Sequence, residues 1–444
     1  MAELVSDGKF LAFVNSRRIE LLSIADSTTR PLTAPPDRGM DDAPSFSPDG
    51  GRVAFIRASA AGVVADLFVV PVTGGEPKRL TFDSSGISGP PAWTADGREI
   101  VFSFTRGGPP SLWRISASGG TSRPVPGVVM ASQPSISRNG NQLAYVHQLF
   151  NNNLWRVTLK DEKHSQGPPD LLISAKWDNA RPHYSPDGKR IAFESDRSGY
   201  SEIWACDSDG SNCGQLTSLR GVAGAARWSP NGHYVAFEFH PKGHSEIYVV
   251  EVPGGLPRPM VTFPDADSGG PNWSRDGQWI YFYSDRGGKR FQLWKVSVNG
   301  GPPIQVTENG GLFAAESVDA RFLYYSKFGV PGIWKMPLPG GEEIHILDQP
   351  WGNFDWAIVR NGIYLLYETS AVAGVDFADP AVTTPPPGKS NIGFLEFATG
   401  KTILISSLDK PAWFGLAVSP DGRSIVFDQN DFSESTIMLV KPFR

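Results

Sequence analysis

The sequence predicts an all-β protein, a β-propeller built of four-stranded antiparallel blades with about ten sequence repeats. Three observations lead to this prediction. A Ser-x-Asp-Gly phrase recurs along the chain of 444 residues, as in "PHYSPDGKRIAF" (182–193) and "PNWSRDGQWIYF" (271–282). Each copy continues into an alternating apolar strand, a strand with one fixed aromatic position and a short strand that ends in Thr. The copies recur at a period that is typical of propeller blades.

The Asp or Asn before each turn glycine marks one copy. Successive marks lie 42 to 48 residues apart, except for a final interval of 60 residues. The ten marks are Asp7, Asp49, Asp96, Asn139, Asp187, Asn231, Asp276, Asp319, Asn361 and Asp421. The long final interval contains "AVAGVDFADPAVTTPPPGKSN" (371–391), whose prolines predict a surface loop.

Each copy is predicted to fold as four consecutive strands. The Asp-Gly pair joins the first two strands, and we interpret it as a type I′ turn because that turn needs positive φ. A second tight turn, such as Gly119-Gly120, precedes the fourth strand, which ends in residues such as Thr81 and Thr217. Neighbouring blades must bury the apolar faces, so the third-strand aromatics are predicted to lie in the core. They are Phe68, Trp113, Trp155, Trp204, Tyr248, Trp294 and Trp334.

The repeats predict one continuous propeller array over residues 1–444. Rings of four to eight blades are usual, and ten blades would leave a wide channel. An alternative therefore divides the chain into three leading blades (1–130) and a seven-bladed ring (131–444). The last copy contains three strands, so an open end is the other interpretation.

The composition argues against two classes of partner. The chain has 41 Lys and Arg against 46 Asp and Glu, a net charge of -5, and no basic stripe, so we expect no nucleic-acid binding. No apolar run approaches the ~18 residues of a membrane span, so we expect no membrane insertion by this chain.

The N-terminus does not resemble a signal peptide. The expected compartment is extracytoplasmic (periplasmic) with an upstream anchor, and cytoplasmic if the chain is complete.

The sequence offers no recognisable catalytic motif. A G-x-S-x-G nucleophile elbow does not occur. The inner strands offer mostly Ser, Phe, Trp, Ile and Tyr, with His183 as the main exception. We therefore predict no catalytic residues, no cofactor and no metal site, and a chain that is not an enzyme. Cys206 and Cys213 flank a hairpin turn, where they could form a disulfide or remain two unrelated thiols.

The repeats resemble the WD40-like repeats of TolB-type propellers, most closely in "PHYSPDGKRIAFESDRSGYSEIWACDSDGSNCGQLT" (182–217). The resemblance covers almost the whole chain. The C-terminal half, which ends in "STIMLVKPFR", is similar to propellers that follow a winged-helix domain and a membrane span in bacterial transcriptional regulators. This resemblance implies a sensory propeller within a larger regulator. The alternatives are a TolB-like envelope or transport component and a propeller enzyme such as a lactonase-type hydrolase.

One face of the propeller is predicted to bind a protein or peptide. Loops that join strand four to strand one, and strand two to strand three, lie on the same face and vary in composition, as binding loops do. Exposed Trp residues beside carboxylates are typical of interfaces. The candidate residues are Trp177, Asp178, Asp196, Arg197, Asp265, Asp267, Asp285, Arg286, Trp351, Phe354, Asp355 and Trp413. Alternatively, the three Trp residues fill gaps between adjacent blades.

Overall fold

The structure, a computed structural model, consists of β-strands joined by turns and loops. It describes residues 2–4, 8–36, 39–58, 65–82, 87, 89–105, 110–241, 244–264, 266–288, 290–328, 330–347, 356–368, 389–412 and 415–443. These residues form 38 strands, and the all-β prediction is confirmed. In this described part of the chain, no helix is long and apolar enough to cross a membrane.

The chain forms two compact units. Unit 1 comprises residues 1–149, 242–244 and 433–444, and unit 2 comprises residues 150–241 and 245–432. The strands that begin in unit 1 are β1 (Ala2–Leu4), β2 (Phe10–Asn15), β3 (Arg18–Ser23), β4 (Thr29–Pro31), β5 (Met40–Phe46), β6 (Arg52–Ala58), β7 (Ala65–Pro71), β8 (Lys78–Arg79), β9 (Ala92–Trp93), β10 (Glu99–Phe104), β11 (Ser111–Ser116), β12 (Arg123–Val129), β13 (Ala131–Ile136) and β14 (Leu143–Asp161).

The remaining strands begin in unit 2. They are β15 (His164–Ser165), β16 (Asp170–Ile173), β17 (Asn179–Tyr184), β18 (Arg190–Ser195), β19 (Glu202–Asp207), β20 (Gly214–Gln215), β21 (Ala223–Trp228), β22 (Tyr234–Phe239), β23 (Glu246–Glu251), β24 (Arg258–Val261), β25 (Ser268–Trp273), β26 (Trp279–Ser284), β27 (Gln292–Ser297), β28 (Ile304–Gln305), β29 (Ala314–Glu316), β30 (Phe322–Lys327), β31 (Val330–Pro337), β32 (Ile344–Leu347), β33 (Trp356–Val359), β34 (Gly362–Glu368), β35 (Ser390–Glu396), β36 (Thr402–Ser407), β37 (Leu416–Val418) and β38 (Ser424–Val440).

Eight sheets are four-stranded blades made of consecutive antiparallel strands. In unit 1, β1–β4, β5–β8 and β9–β12 form blades 1 to 3. In unit 2, β17–β20, β21–β24, β25–β28, β29–β32 and β33–β36 form blades 5 to 9. A ninth sheet, in the order β13-β14-β38-β37 with β16 beside β14, supplies blade 4 to unit 1 and blade 10 to unit 2.

The repeated turn phrase is explained by its hydrogen bonds. In blade 5, Gly188 N–H donates to Ser185 O at 2.9 Å, and Ser185 Oγ donates to Asp187 Oδ1 at 2.6 Å. Only the glycine has positive φ, at 69°. Pro186 and Asp187 stay in the ordinary region, so the turn is of type I with a left-handed glycine after it. The predicted type I′ turn, which needs two central residues with positive φ, is therefore wrong.

Apolar clusters join the blades of unit 2 into a closed ring. Four clusters connect blades 5 to 9 in sequence order. Phe394 of blade 9 and Phe427 of blade 10 share a fifth cluster. Leu154 and Val426 of blade 10 share the sixth with Phe193 of blade 5. Unit 2 is therefore a six-bladed propeller, with β17, β21, β25, β29, β33 and β37 as its inner strands.

Blade 10 closes the ring with strands from two distant parts of the chain. Its first two strands are β37 and the beginning of β38, and its outer two are the end of β14 and β16. Leu159 N–H donates to Arg423 O at 2.8 Å, and Trp155 Nε1 donates to Asp431 Oδ2 at 2.9 Å. The beginning of β14 and the end of β38 pair in blade 4 of unit 1, where Phe443 packs.

The strands β14 and β38 are long, with 19 and 17 residues where other blades have two short strands and a loop. Most strand two-to-three connections contain glycine, but 146–153 and 428–436 contain none. Each long strand therefore contributes residues to both units. The copy marked by Asn139 is shared between blades 4 and 10.

Phe193 and Phe427 test whether the closing blade is packed as firmly as an ordinary one. They occupy the same second-strand position in blades 5 and 10, and both are fully buried. We expect Phe193→Ala and Phe427→Ala each to lower the free energy of unfolding by roughly 3–5 kcal/mol. Urea unfolding measures the change, with Leu256→Ala at an exposed position as the control. A loss below about 1 kcal/mol at Phe427 alone would mean that blade 10 closes loosely.

Candidate functional site

Trp177, Asp178, Asp196 and Arg197 lie together beside the first strand of blade 5. Asp178 N–H donates to the Asp196 carboxylate. Asn179 Nδ2 donates to Trp177 O at 3.2 Å, and the Arg197 guanidinium donates to Asn179 Oδ1. The structure thus brings four of the sequence-predicted residues into one site, with the buried Asn179 between them.

Hydrogen bonds to blade 10 hold this site in place. Asn152 N–H donates to Asp178 Oδ1 at 3.0 Å, and Asn179 Nδ2 reaches Asn152 O at 3.3 Å. Ser195 Oγ donates to Asn179 Oδ1 at 3.0 Å. The site therefore depends on the joint between blades 5 and 10, where the ring closes.

The two carboxyl groups of the site resist ionisation. Burial and, after it, the negative charge of Asp196 raise the pKa of Asp178 to about 8. Burial also raises the pKa of Asp196 to about 6, with a smaller effect from Glu194. Oδ1 of Asp196 is buried and has no hydrogen-bond partner among the described residues. A proton or a bound cation would therefore stabilise the pair.

Arg197 presents its guanidinium to aromatic rings rather than to these carboxylates. It lies 5.0 Å from the ring centre of Trp204 and 5.2 Å from that of Phe193. Its Nε also donates to Ser195 Oγ at 3.0 Å. The stack fixes the loop between strands two and three, so this side of the site is rigid before any ligand binds.

Asp267, Asp285 and Arg286 occupy the same repeat positions in blade 7, but their surroundings differ from the prediction. We expected the two carboxylates on an exposed face, whereas both are buried. Ser245 N–H of blade 6 donates to Asp267 Oδ1 at 2.9 Å, and Asp267 N–H donates to Asp285 Oδ1 at 3.0 Å. These carboxylates hold adjacent blades together, because they satisfy backbone N–H groups that the strand ends leave open.

Arg286 is exposed and lies 4.3 Å from the ring centre of Phe263. With Arg290 and Trp294 it lines a cleft of about 540 Å³ at the edge of blade 7. The other predicted residues fall outside the described part of the chain. They are Asp265, Trp351, Phe354, Asp355 and Trp413.

Carboxylates on the second strands clamp neighbouring inner strands, a role that our sequence analysis missed. Each accepts a hydrogen bond from the backbone N–H of a left-handed residue in a bulge of the next blade. The pairs are Asp428 with Arg181, Glu194 with Ala225, and Glu238 with Gly270, at 3.3, 3.2 and 3.0 Å. The signal was the acidic residue that follows the second-strand Phe in "AFE" (192–194) and "VFD" (426–428).

Arg181 completes a charged network on the inner strands. Its Nη1 lies 3.0 Å from Glu194 Oε2 and 3.8 Å from Glu238 Oε1. Burial opposes the charge of Arg181, but the two glutamates outweigh it and raise its pKa. Burial and the charge of Arg181 lower the pKa of Arg227 to about 10. Arg181 is therefore paired with glutamates of two neighbouring blades, 5 and 6.

The contacts of His183 and of the two cysteines hold strands together. His183 Nδ1 accepts a hydrogen bond from Trp228 N–H at 3.2 Å, and burial and then Arg227 lower its pKa. Cys206 and Cys213 form a disulfide that ties β19 to β20. Gly210 in the intervening turn must be glycine, since a Cβ there would lie 2.4 Å from Leu172 O. Within the described ranges, no group of three or more His, Cys, Asp or Glu residues could hold a metal ion.

Comparisons with known families concern two stretches of the chain. Residues 5–157 match the family described as "Tricorn protease N-terminal beta propeller domain", and residues 212–371 match the "TolB beta propeller domain". The repeats are TolB-like. The two family matches and the four-stranded sheets therefore confirm the predicted propeller fold.

The curated relatives are longer proteins that share part of this chain. One is the "Uncharacterized peptidase YuxL" of Bacillus subtilis (strain 168), 31% identical over 156 residues, which are 34% of this chain and 21% of that protein. Another is the "Tol-Pal system protein TolB" of Anaeromyxobacter dehalogenans, 30% identical over 177 residues, or 40% of this chain and 29% of that protein. The chain thus spans less than a third of the length of either relative.

Two solved structures are among those similar to part of this chain. The putative TolB from Agrobacterium tumefaciens has 19% sequence identity and a TM-score of 0.48, covering 63% of this chain and 98% of that one. The tricorn protease has 15% identity and a TM-score of 0.27, covering 94% of this chain and 45% of that one.

Asp178→Asn should stabilise the protein at alkaline pH. The folded pKa of about 8 exceeds the unfolded value of about 3.9, so the stability that the bound proton contributes is lost as pH rises from 4 through 8. Asn can still accept the Asn152 N–H but carries no charge. We expect a gain on the order of 1–3 kcal/mol at pH 9 and little change at pH 4, measured by urea unfolding.

Asp187→Asn is the matched control, because blade 6 naturally carries Asn231 at that turn position. Hydrogen bonds from Ser185 and then Lys189 lower the pKa of Asp187, so its neutral replacement should give no gain at pH 9. An equal gain from Asp178→Asn at pH 4 and pH 9 would contradict the assignment of a charge penalty to this site.

Proposed function

We propose that this chain is a non-catalytic propeller scaffold that binds a basic segment of a partner protein or peptide at the blade 5 site of unit 2. The observation that carries the proposal is the carboxyl pair of Asp178 and Asp196, in which Asp196 Oδ1 is buried without a partner in the described structure. Buried polar groups normally have hydrogen-bond partners, and exceptions point to a ligand or to function.

A Lys, an Arg or an amino terminus of the partner would pair with these carboxylates. Such a cation would offset the burial that raises both pKa values, the charge of Asp196 next to Asp178 and the charge of Glu194 next to Asp196. The half-buried Trp177 next to Asp178 offers an aromatic surface for an adjoining apolar side chain. An amphipathic basic segment therefore fits the site best.

The rigidity of the site also favours binding. Asn179 uses its amide to hold Trp177 O and Asn152 O, and its Oδ1 accepts from Ser195 and Arg197. A preorganised site loses little entropy when a ligand binds, which raises affinity without further contacts. Recognition loops on a stable ring are a common use of this fold.

Binding of basic peptides should weaken as pH falls. A cation pairs with Asp178 only after the carboxyl group loses its proton, and the pKa of Asp178 is about 8. We expect the Kd of Lys- and Arg-containing peptides to rise on the order of tenfold between pH 8.5 and pH 6.5 at constant salt. Calorimetry with such peptides and with their Glu-substituted counterparts measures this.

The double variant Asp178→Asn with Asp196→Asn should lose both the affinity and its pH dependence. Asp187→Asn should retain both, since that carboxylate lies in a turn of the same blade. Unchanged peptide affinity in the folded double variant would disprove the proposed site.

A second candidate function is the handling of peptide substrates as the propeller of a peptidase. The matches to the tricorn protease N-terminal propeller and to the peptidase YuxL favour it. Co-purification of a peptidase that needs this chain to cleave basic peptides would select this candidate. The envelope role suggested by the name TolB, and the regulator role suggested by the C-terminal sequence, remain proposals of lower rank.

A further inference from the structure

The end of β38 forms an edge of blade 4 in unit 1. One side of this segment pairs with β14, and no strand of the described chain pairs with its other side. Residues 433–439 are all exposed. Blades 1 to 3 of the same unit each have a fourth strand beside the third. Blade 4 is therefore a three-stranded blade within the described structure.

The exposed edge carries apolar residues that the other blades bury. Val440 packs toward blade 3, so the alternation of a strand directs Ile437 and Leu439 to the opposite face. Ile437 is 78% exposed and Leu439 is 59% exposed. In blade 5 the corresponding Ile203 and Ala205 are fully buried against blade 6.

The apolar end of this edge, residues 436–440, has none of the usual protection against pairing. Natural edge strands avoid association by carrying Lys or Pro, by bulging or by being short. The segment "FSESTIMLV" (432–440) contains no Lys, Arg or Pro, and β38 is among the longest strands described. An unprotected apolar edge of this kind is suited to accept an additional strand.

The other blades show which kind of strand completes a third strand. In blades 1, 2, 5, 6 and 7 an apolar residue and then Thr stand at the end of the fourth strand or directly after it, as in Leu80-Thr81 and Leu216-Thr217. The leucines are buried. The Thr hydroxyls accept third-strand N–H groups, from Leu67 to Thr81 and from Ile203 to Thr217, both at 2.9 Å. The same bond recurs in blades 1 and 7.

We propose that the edge of blade 4 binds an extended segment of a partner protein, in which an apolar residue precedes Thr, as its missing fourth strand. The backbone of the partner would pair with β38, its apolar side chain would cover Ile437, and its Thr hydroxyl would accept an edge N–H. A second copy of this chain fits less well, since its own edge offers "TIMLV" (436–440) without an apolar-Thr pair. This site is separate from the carboxyl pair of blade 5 and does not depend on it.

A peptide from the chain itself provides the probe. A labelled peptide "EPKRLTFD" (76–83), the fourth strand of blade 2, should bind the purified protein saturably and protect the amides of 433–440 from hydrogen exchange. Peptides with Leu80→Asp or Thr81→Ala should bind at least about tenfold more weakly. Ile437→Asp in the protein should abolish binding, and Leu256→Asp, at an exposed loop of unit 2, should not.

Four results would overturn the proposal. The first is that the peptide does not bind saturably at millimolar concentration. The second is that the Ile437→Asp protein still binds the peptide, and the third is that peptides with Thr81→Ala or Leu80→Asp bind with unchanged affinity. The fourth is an occupied edge in the free protein. Slow exchange, in a monomer, of the 433–440 amides that point away from β14 would assign the edge to another segment of this chain. A dimer that Ile437→Asp dissociates would assign it to a second copy.

Discussion

The antiparallel pairing of β14 with β38 is the contact on which the architecture depends. Residues such as Asn153 and Asp431, joined at 2.8 Å, are brought together by it although 278 positions separate them. Closing so long a loop costs entropy, but that cost grows only logarithmically with length. The buried cluster around Phe427 and Phe394 offsets it, since a complete ring leaves no apolar blade face open to water.

Local chemistry made most of the fold predictable from the sequence. Ser185, Asp187 and Gly188 build the turn from groups within a few residues of one another, so the phrase specifies a hairpin wherever it occurs. The turn type was misread because a left-handed glycine is common to both types, and only the φ values of its neighbours distinguish them. The number of blades in unit 2 depends on pairing between β14 and β38, and the lack of glycine in their connections is the local signal of that pairing.

The sequence predicted where the candidate site lies, but not the electrostatic surroundings of its carboxyl groups. Asp178 and Asp267 occupy equivalent places, and both accept an N–H group from the preceding blade. Their difference arises from neighbours: Asp196, Glu194 and Asp428 surround Asp178 with negative charge. Such proximity between separate blades leaves no trace in a short stretch of sequence, and the same holds for the clamp between Glu194 and Ala225.

The two long strands also constrain biosynthesis. During synthesis from the N-terminus, β14 leaves the ribosome hundreds of residues before β38 can join it. Until then blade 4 lacks one strand and blade 10 lacks its two inner strands, so neither unit can complete its fold by itself, and one edge of the 19-residue β14 stays open. The nascent chain must stay free of aggregation throughout that interval, which makes it a natural substrate for chaperones.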